Sequence, residues 1–239
     1  MKRDYLSYSA LKAFEKSPNH YLEYLKKEYE PSPAMQLGSL VHLLVLEPEN
    51  LEKRYAVAPA VNKRTKAGKE EYELFVKEAG TREVIDAAQL AEAQVIADIV
   101  KAHPLASQAL TSCKQFEKEL RGELYGYPFL AFADAISENF VYDLKTTKDA
   151  SPKEFIRAAA NLGYHLQAAI YTELTGLPFR WIAVETSSPY NVQIYEQDAD
   201  SFERSRQRLE MLVTDFINWD GKPREYSAAI LPLNLPGWA

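Results

Sequence analysis

Near Phe116 the chain changes its periodicity, and that change limits the folds open to it. Before this point apolar residues recur at helical spacing behind clear start signals. Ser7 precedes a stretch to Ser17 carrying Leu11 and Phe14, Pro18 restarts a helix through Tyr21 and Leu25, and Ser32 opens another through Leu46 that halts at Pro48. The polar segment Asn62 to Gly80 predicts a helix around Glu70 to Lys77, and Asp86 with Gln89 forms a capping-box start for a helix through Val100. After Phe116 come short alternating or apolar runs, 116–124, 127–135 and 140–145, separated by Gly126 and by Glu138-Asn139. Two helices follow, 152–160 and 165–175, the second stopped by Gly176 and Pro178; strands at 181–186 and 191–196 come next. A long amphipathic helix from Asp198 to about Asp220 carries Phe202, Leu209, Leu212, Val213 and Phe216 on one side. This order predicts an α/β fold, a mixed central sheet flanked by helices. Residues 1–110 form the mostly helical part and 111–239 the sheet core of a single domain.

With 239 residues, 46% of them hydrophobic, the chain is long enough to bury one large core. No repeat or low-complexity tract interrupts it, and its 13 prolines are scattered at element boundaries. Cys113 is the one cysteine, which excludes an internal disulfide and any cysteine-only metal cage and fits a cytoplasmic location. No apolar stretch reaches the roughly 18 residues of a membrane span, and the beginning has no apolar signal core, so no membrane association is expected. A net charge of −6 argues against coating nucleic acid by bulk attraction. It leaves room for a nuclease, because a carboxylate metal site is locally negative until a cation fills it. Lys63, Arg64, Lys66 and Lys69 form a local basic cluster, readable as a phosphate stripe or as a solvated loop and helix face.

The chemistry gathers in the first strands. Asp134 ends the apolar run Phe129-Leu130-Ala131-Phe132-Ala133, and Tyr142-Asp143-Leu144-Lys145-Thr146-Thr147 follows after a polar break. On extended backbone Asp143 and Lys145 share one face while Leu144 points into the core. Two carboxylates and an ammonium in one space can hold a hard divalent cation and place an attacking water. His42 interrupts the apolar run Met35 to Leu44, where an imidazole needs a partner for each ring nitrogen, as a core residue or as a metal ligand. Gly38, one turn earlier, allows another backbone to approach closely. Gln167 and Tyr171 lie four residues apart, hence on one helix face, where they would bond each other, phosphate oxygens or Lys145.

In this order, Gly38-Ser39-Leu40-Val41-His42, Asp134, Asp143-Leu144-Lys145-Thr146-Thr147 and Gln167-Ala168-Ala169-Ile170-Tyr171 resemble the RecB-like branch of the PD-(D/E)XK nuclease superfamily. They resemble most the phage-type exodeoxyribonuclease VIII, or RecE, family. Ser7-Tyr8-Ser9-Ala10-Leu11, Ser17-Pro18, the block Leu43 to Asn50, Asn62 to Gly68 and Leu235-Pro236-Gly237-Trp238 carry the same likeness, so it covers nearly the whole chain. The resemblance implies that Asp134, Asp143 and Lys145 are catalytic, and that His42, Asp134, Asp143 and the Leu144 carbonyl hold metal. It implies that Gln167 and Tyr171 are DNA-binding residues near the scissile phosphate. It further implies Mg²⁺, with Mn²⁺ as a substitute, and a 5′ to 3′ exonuclease of double-stranded DNA ends in phage-type recombination. A homo-oligomeric ring around DNA and a single-strand annealing protein as partner belong to the same implication. A ring would reconcile the acidic charge with DNA, because small basic patches from several subunits can face one channel.

The likeness has two departures. Ala131-Phe132-Ala133 stands before Asp134, where such nucleases carry an Arg or Lys and often a Pro. The upstream glutamate is either Glu117 or Glu119, which have the same strand parity. Metal count and ring size stay open. The alternatives are a single-strand or structure-specific RecB-like nuclease and a catalytically silent DNA-binding recombination scaffold, against which the intact Asp134, Asp143 and Lys145 argue. The final helix and the apolar tail Ile230 to Trp238 either cover the domain's own core or meet a partner.

Overall fold

Helices come first in the computed structural model, which describes residues 2–26 and 31–224; the tail 230–238 lies outside the described residues. Ser17 separates α1 (Tyr8–Lys16) from α2 (Pro18–Lys26), and α3 (Pro33–Leu46) starts where the Ser32 side chain accepts the Met35 N–H. The one-turn helix α4 (Leu51–Arg54) runs into β1 (Tyr55–Val57). Then α5 (Lys66–Ala79) leads to β2 (Glu83–Ile85), which pairs with β1 in parallel. The helical half closes with α6 (Ala87–Ala102), opened by the expected Asp86–Gln89 capping box, and α7 (Pro104–Thr111). Thr65 caps α5 through the Gly68 N–H and so starts it a turn before the stretch predicted from the pattern. The three-residue strands β1 and β2 are too short to show alternation, and α7 buries only Ala106 and Ala109, which leaves no apolar stripe to read.

The sheet follows: β3 (Gln115–Leu124), β4 (Tyr127–Ile136), β5 (Val141–Thr147), then α8 (Pro152–Leu162), α9 (Tyr164–Thr175), β6 (Phe179–Glu185), β7 (Val192–Glu196) and α10 (Ala199–Asn218). Its order is β3-β4-β5-β6-β7, with β5 and β6 parallel and the other neighbours antiparallel. The parallel step requires a long crossover, which α8 and α9 supply. This is the mixed sheet flanked by helices that the order of elements predicts.

Both faces of the sheet are buried, which explains the unbroken apolar run Trp181 to Val184. On one face Trp181 and Ala183 join Leu11, Phe14, Tyr21, Leu166, Ile170, Leu209 and Phe216 from α1, α2, α9 and α10. On the other, Leu144, Ile182 and Val184 meet Leu40, Leu44, Ile96 and Val100 from α3 and α6. The helical half is therefore not a separate layer, since α1 and α2 serve one core and α3 the other.

One irregularity positions the site. β4 and β5 pair only at Ala135 with Tyr142 and Ile136 with Val141, and then part. The next rung would set Asp134 opposite Asp143, two like charges directly across a ladder, an unfavourable pairing. Further along the fork, Leu6 occupies the open edge of β4, donating to the Pro128 carbonyl at 2.8 Å and accepting from the Leu130 N–H at 2.9 Å.

Candidate active site

At the point where β4 and β5 part, a side chain does the work of backbone. Asp134 Oδ2 accepts the Leu144 N–H at 2.8 Å and lies 3.3 Å from His42 Nδ1. His42 reaches the fork because α3 sits closely on the end of β5: a Cβ on Gly38 would stand 3.1 Å from Thr146 Oγ1. The close approach expected at Gly38 is thus made by a side chain of β5.

Glu117 lies on β3 at the level of Asp134, where the otherwise continuous β3–β4 register lacks a pair. Its φ of 45° is in the left-handed region, uncommon for a residue with a Cβ and a strain of roughly 1–3 kcal/mol that surrounding structure must hold. Ligand atoms of His42, Glu117 and Asp134 all lie within 4.8 Å of one another. Glu119 instead faces solvent and pairs with Arg121 at 2.5 Å. The distorted backbone separates two glutamates that strand parity could not.

Asp143 is 2% exposed, and both its oxygens are engaged. Oδ1 accepts the Gln167 Nε2–H at 2.6 Å, and Oδ2 pairs with Lys145 Nζ at 2.5 Å. Asp143 therefore borders the His42–Glu117–Asp134 cluster without being one of its three members. Burial lifts the Asp143 carboxyl to about 6, against the pull of the Lys145 ammonium and with help from Asp134. For Lys145 burial works the other way, but the charges of Asp143 and Asp134 outweigh it and raise the ammonium above its ordinary range. Both groups of this pair thus hold their protons more tightly than usual, for different reasons. Glu117 is also raised, first by burial and then by the charge of Asp134.

Gln167 and Tyr171 share a face of α9, as their spacing predicts, and both are 7% exposed. They meet protein rather than open cleft. Gln167 holds Asp143 on β5, and the Tyr171 hydroxyl donates to the Phe132 carbonyl on β4 at 2.7 Å. One helix face therefore pins both prongs of the fork.

The site opens into a cleft of about 750 Å³ lined by His42, Glu117, Asp134 and Lys145 together with Met35, Arg54, Phe132, Lys148, Leu162 and Tyr164. Arg54, whose charge opposes the upward shift of Glu117, had no local signal, being one of two adjacent cations at the end of a one-turn helix. Tyr164 stands with its ring centroid 5.2 Å from Lys145 Nζ. None of Lys63, Arg64, Lys66 and Lys69 lines the cleft; Lys63 lies over the Tyr72 ring at 3.4 Å and Lys66 pairs loosely with Glu70. They read as a solvated loop and helix start.

Three carboxylates, Glu117, Asp134 and Asp143, gather around His42 and Lys145, with Arg54 and Lys148 lining the same cleft. Converging oxygen donors with one imidazole suit a divalent cation.

The model of a PDDEXK-like domain of unknown function (DUF3799) matches residues 7–224. The chain belongs to this family. No curated protein matches it. Among solved structures, a putative exonuclease from Eubacterium rectale is 19% identical with a TM-score of 0.62, over 90% of this chain and 80% of that one. An alkaline exonuclease, LHK-Exo from Laribacter hongkongensis, is 15% identical with a TM-score of 0.30, over 64% of this chain and 82% of that one. The first likeness shows a shared fold. PDDEXK-like membership and fold together support a hydrolytic nuclease that uses a divalent metal ion. Among the described residues, no helix is long and apolar enough to cross a membrane.

Proposed function

We propose that this PDDEXK-like protein is a Mg²⁺-dependent exodeoxyribonuclease that hydrolyses phosphodiester bonds at double-stranded DNA ends. One observation carries the reading: His42, Glu117 and Asp134 converge beside the Asp143–Lys145 pair in a cleft open to solvent. His42, Glu117 and Asp134, with Asp143 and the Leu144 carbonyl beside them, would hold a divalent cation, which supplies Lewis acidity toward the scissile phosphate. Lys145 offers a directed ammonium to the attacking water and to the charge that grows on the phosphate oxygens. Asp143 aims that ammonium, and Gln167 fixes Asp143 in turn. Tyr171 anchors β4 two residues before Asp134, so the carboxylates of the two strands keep their separation.

The 5′ to 3′ direction, a ring of subunits and a single-strand annealing partner in recombination rest on the resemblance to RecE-type exonucleases. A ring would reconcile the net charge of −6 with DNA binding, because DNA would then be held by patches from several copies. Linear duplex labelled at the 5′ or the 3′ end, single strands and closed circles, each with Mg²⁺ or EDTA, test the reading. Linear duplex is expected to lose its 5′ label as mononucleotides in Mg²⁺ alone. Full activity of Asp143→Ala or Lys145→Ala protein would overturn it. Preferential cutting of single strands would select the structure-specific alternative, and the mass of the native particle tests the ring.

A further inference from the structure

Phe132 is 49% exposed although it lies in the middle of a strand whose other face is core. Along β4 the residues Phe129, Ala131 and Ala133 are buried, and Phe132 and Asp134 fall on the opposite face. Two residues of extended chain, about 7 Å, separate the ring from the carboxylate. Met35 at the start of α3 and Leu162 at the end of α8 line the same cleft and are 46% and 43% exposed. Single exposed apolar residues are ordinary on a protein surface. Three of them around a floor of carboxylates, imidazole and ammonium form an apolar rim within a polar site, and such a rim calls for a ligand that is charged at one end and flat and apolar at the other.

We propose that Phe132 is a stacking platform for an unpaired nucleobase of the strand being cut, with Met35 and Leu162 as its apolar walls. The inference rests on the nuclease reading and adds to it the form in which the strand enters: unpaired at the site, even when the substrate is duplex. A paired base inside a duplex presents only its edges and a terminal pair only its outer face, whereas an unpaired base can enter a narrow cleft and lay its π-face on an aromatic ring without regard to sequence. The segment Ala131-Phe132-Ala133 offers no cation immediately before Asp134. The chain holds the strand there by a base rather than by a phosphate, while Arg54 brings a cation to the cleft from another element. The backbone of Phe132 has its own task, since its carbonyl accepts the Tyr171 hydroxyl. Replacing the side chain leaves that bond in place.

The test compares Phe132→Ala and Phe132→Tyr proteins on linear duplexes whose terminal nucleotides are normal or abasic. Phe132→Ala is expected to lower kcat/KM on normal DNA by roughly 5- to 150-fold, the loss of about one base stack, and to have little effect on the abasic strand. Phe132→Tyr restores the rate. Equal losses on both strands, or no loss on either, overturn the proposal. A reading independent of cleavage uses Lys145→Ala protein and a strand ending in 2-aminopurine, whose fluorescence is quenched on stacking. Quenching that disappears with the added Phe132→Ala change is expected. If the wild-type protein cuts no DNA, the nuclease reading fails, while this quenching alone still upholds the platform and its absence refutes it.

Discussion

Asp134 Oδ2 accepts the Leu144 N–H at 2.8 Å, where a continued β4–β5 ladder would have put a backbone bond. The carboxylate therefore has a structural task beside the metal-holding one proposed for it, and two substitutions separate the roles. Asp134→Asn keeps an oxygen for the Leu144 amide and removes a metal-holding charge, so it should abolish cleavage with unfolding stability close to wild type. Asp134→Ala also orphans a buried N–H, which costs about 1–3 kcal/mol. Urea titrations in EDTA beside a cleavage assay check this; equal stabilities of the two variants would contradict it.

Gln167 and Tyr171 hold protein groups, and kinetics distinguishes that role from contact with DNA. Gln167→Leu leaves a buried carboxylate oxygen of Asp143 without its donor and should lower kcat by roughly tenfold or more, with KM for DNA nearly unchanged. Tyr171→Phe loses one neutral hydrogen bond to the Phe132 carbonyl, worth about 0.5–1.5 kcal/mol of stability, and should slow cleavage less. A rise in KM as the main effect would instead mark both residues as DNA contacts.

The raised Asp143 carboxyl predicts how stability responds to pH in metal-free protein. Folded, it keeps its proton up to about 6. Unfolded, it releases it near 3.9. Between these values the native state binds more protons, so this group makes stability fall as pH rises, by no more than about 3 kcal/mol. The Lys145 contribution is fully present throughout that window, because its raised proton affinity matters only at alkaline pH. Unfolding free energies in EDTA should show wild type losing ground to Asp143→Asn protein from pH 4 to 6 and holding level above. A gap that does not change with pH would refute the assignment.

Glu117 and Glu119 offer a direct contrast. Glu117→Gln takes a carboxylate from the His42–Asp134 cluster and should weaken Mn²⁺ binding by about tenfold or more, measured by calorimetry. Glu119→Gln breaks an exposed pair with Arg121 and should leave metal affinity and cleavage unchanged.

Much of this architecture is legible in the chain because its local signals agree. Ser7, Ser32 and Asp86 cap the helices that the periodicity predicts, and alternation at 127–135 sets one face of β4 against the core. Asp143 and Lys145 come together for the same reason, strand parity. Parity fails at Glu117 because the rule presumes regular backbone and a φ of 45° breaks it. Helical spacing shows that Gln167 and Tyr171 share a face, yet not that the face meets Asp143 and the Phe132 carbonyl, since those partners lie 24 and 39 residues away in sequence. Arg54 enters the cleft through tertiary packing alone.

The division of the site between two cores bears on when, during folding, the site becomes complete. His42 rides on a helix packed into one face of the sheet, while Gln167 and Tyr171 ride on a helix packed into the other, and α9 is itself covered by α10. A chain emerging from the ribosome carries its histidine long before the strands that answer it, and those strands are not pinned until the last helices have docked. If the site cleaves DNA as proposed, a chain not yet closed by α9 and α10 would lack the Gln167 and Tyr171 anchors and stay inert.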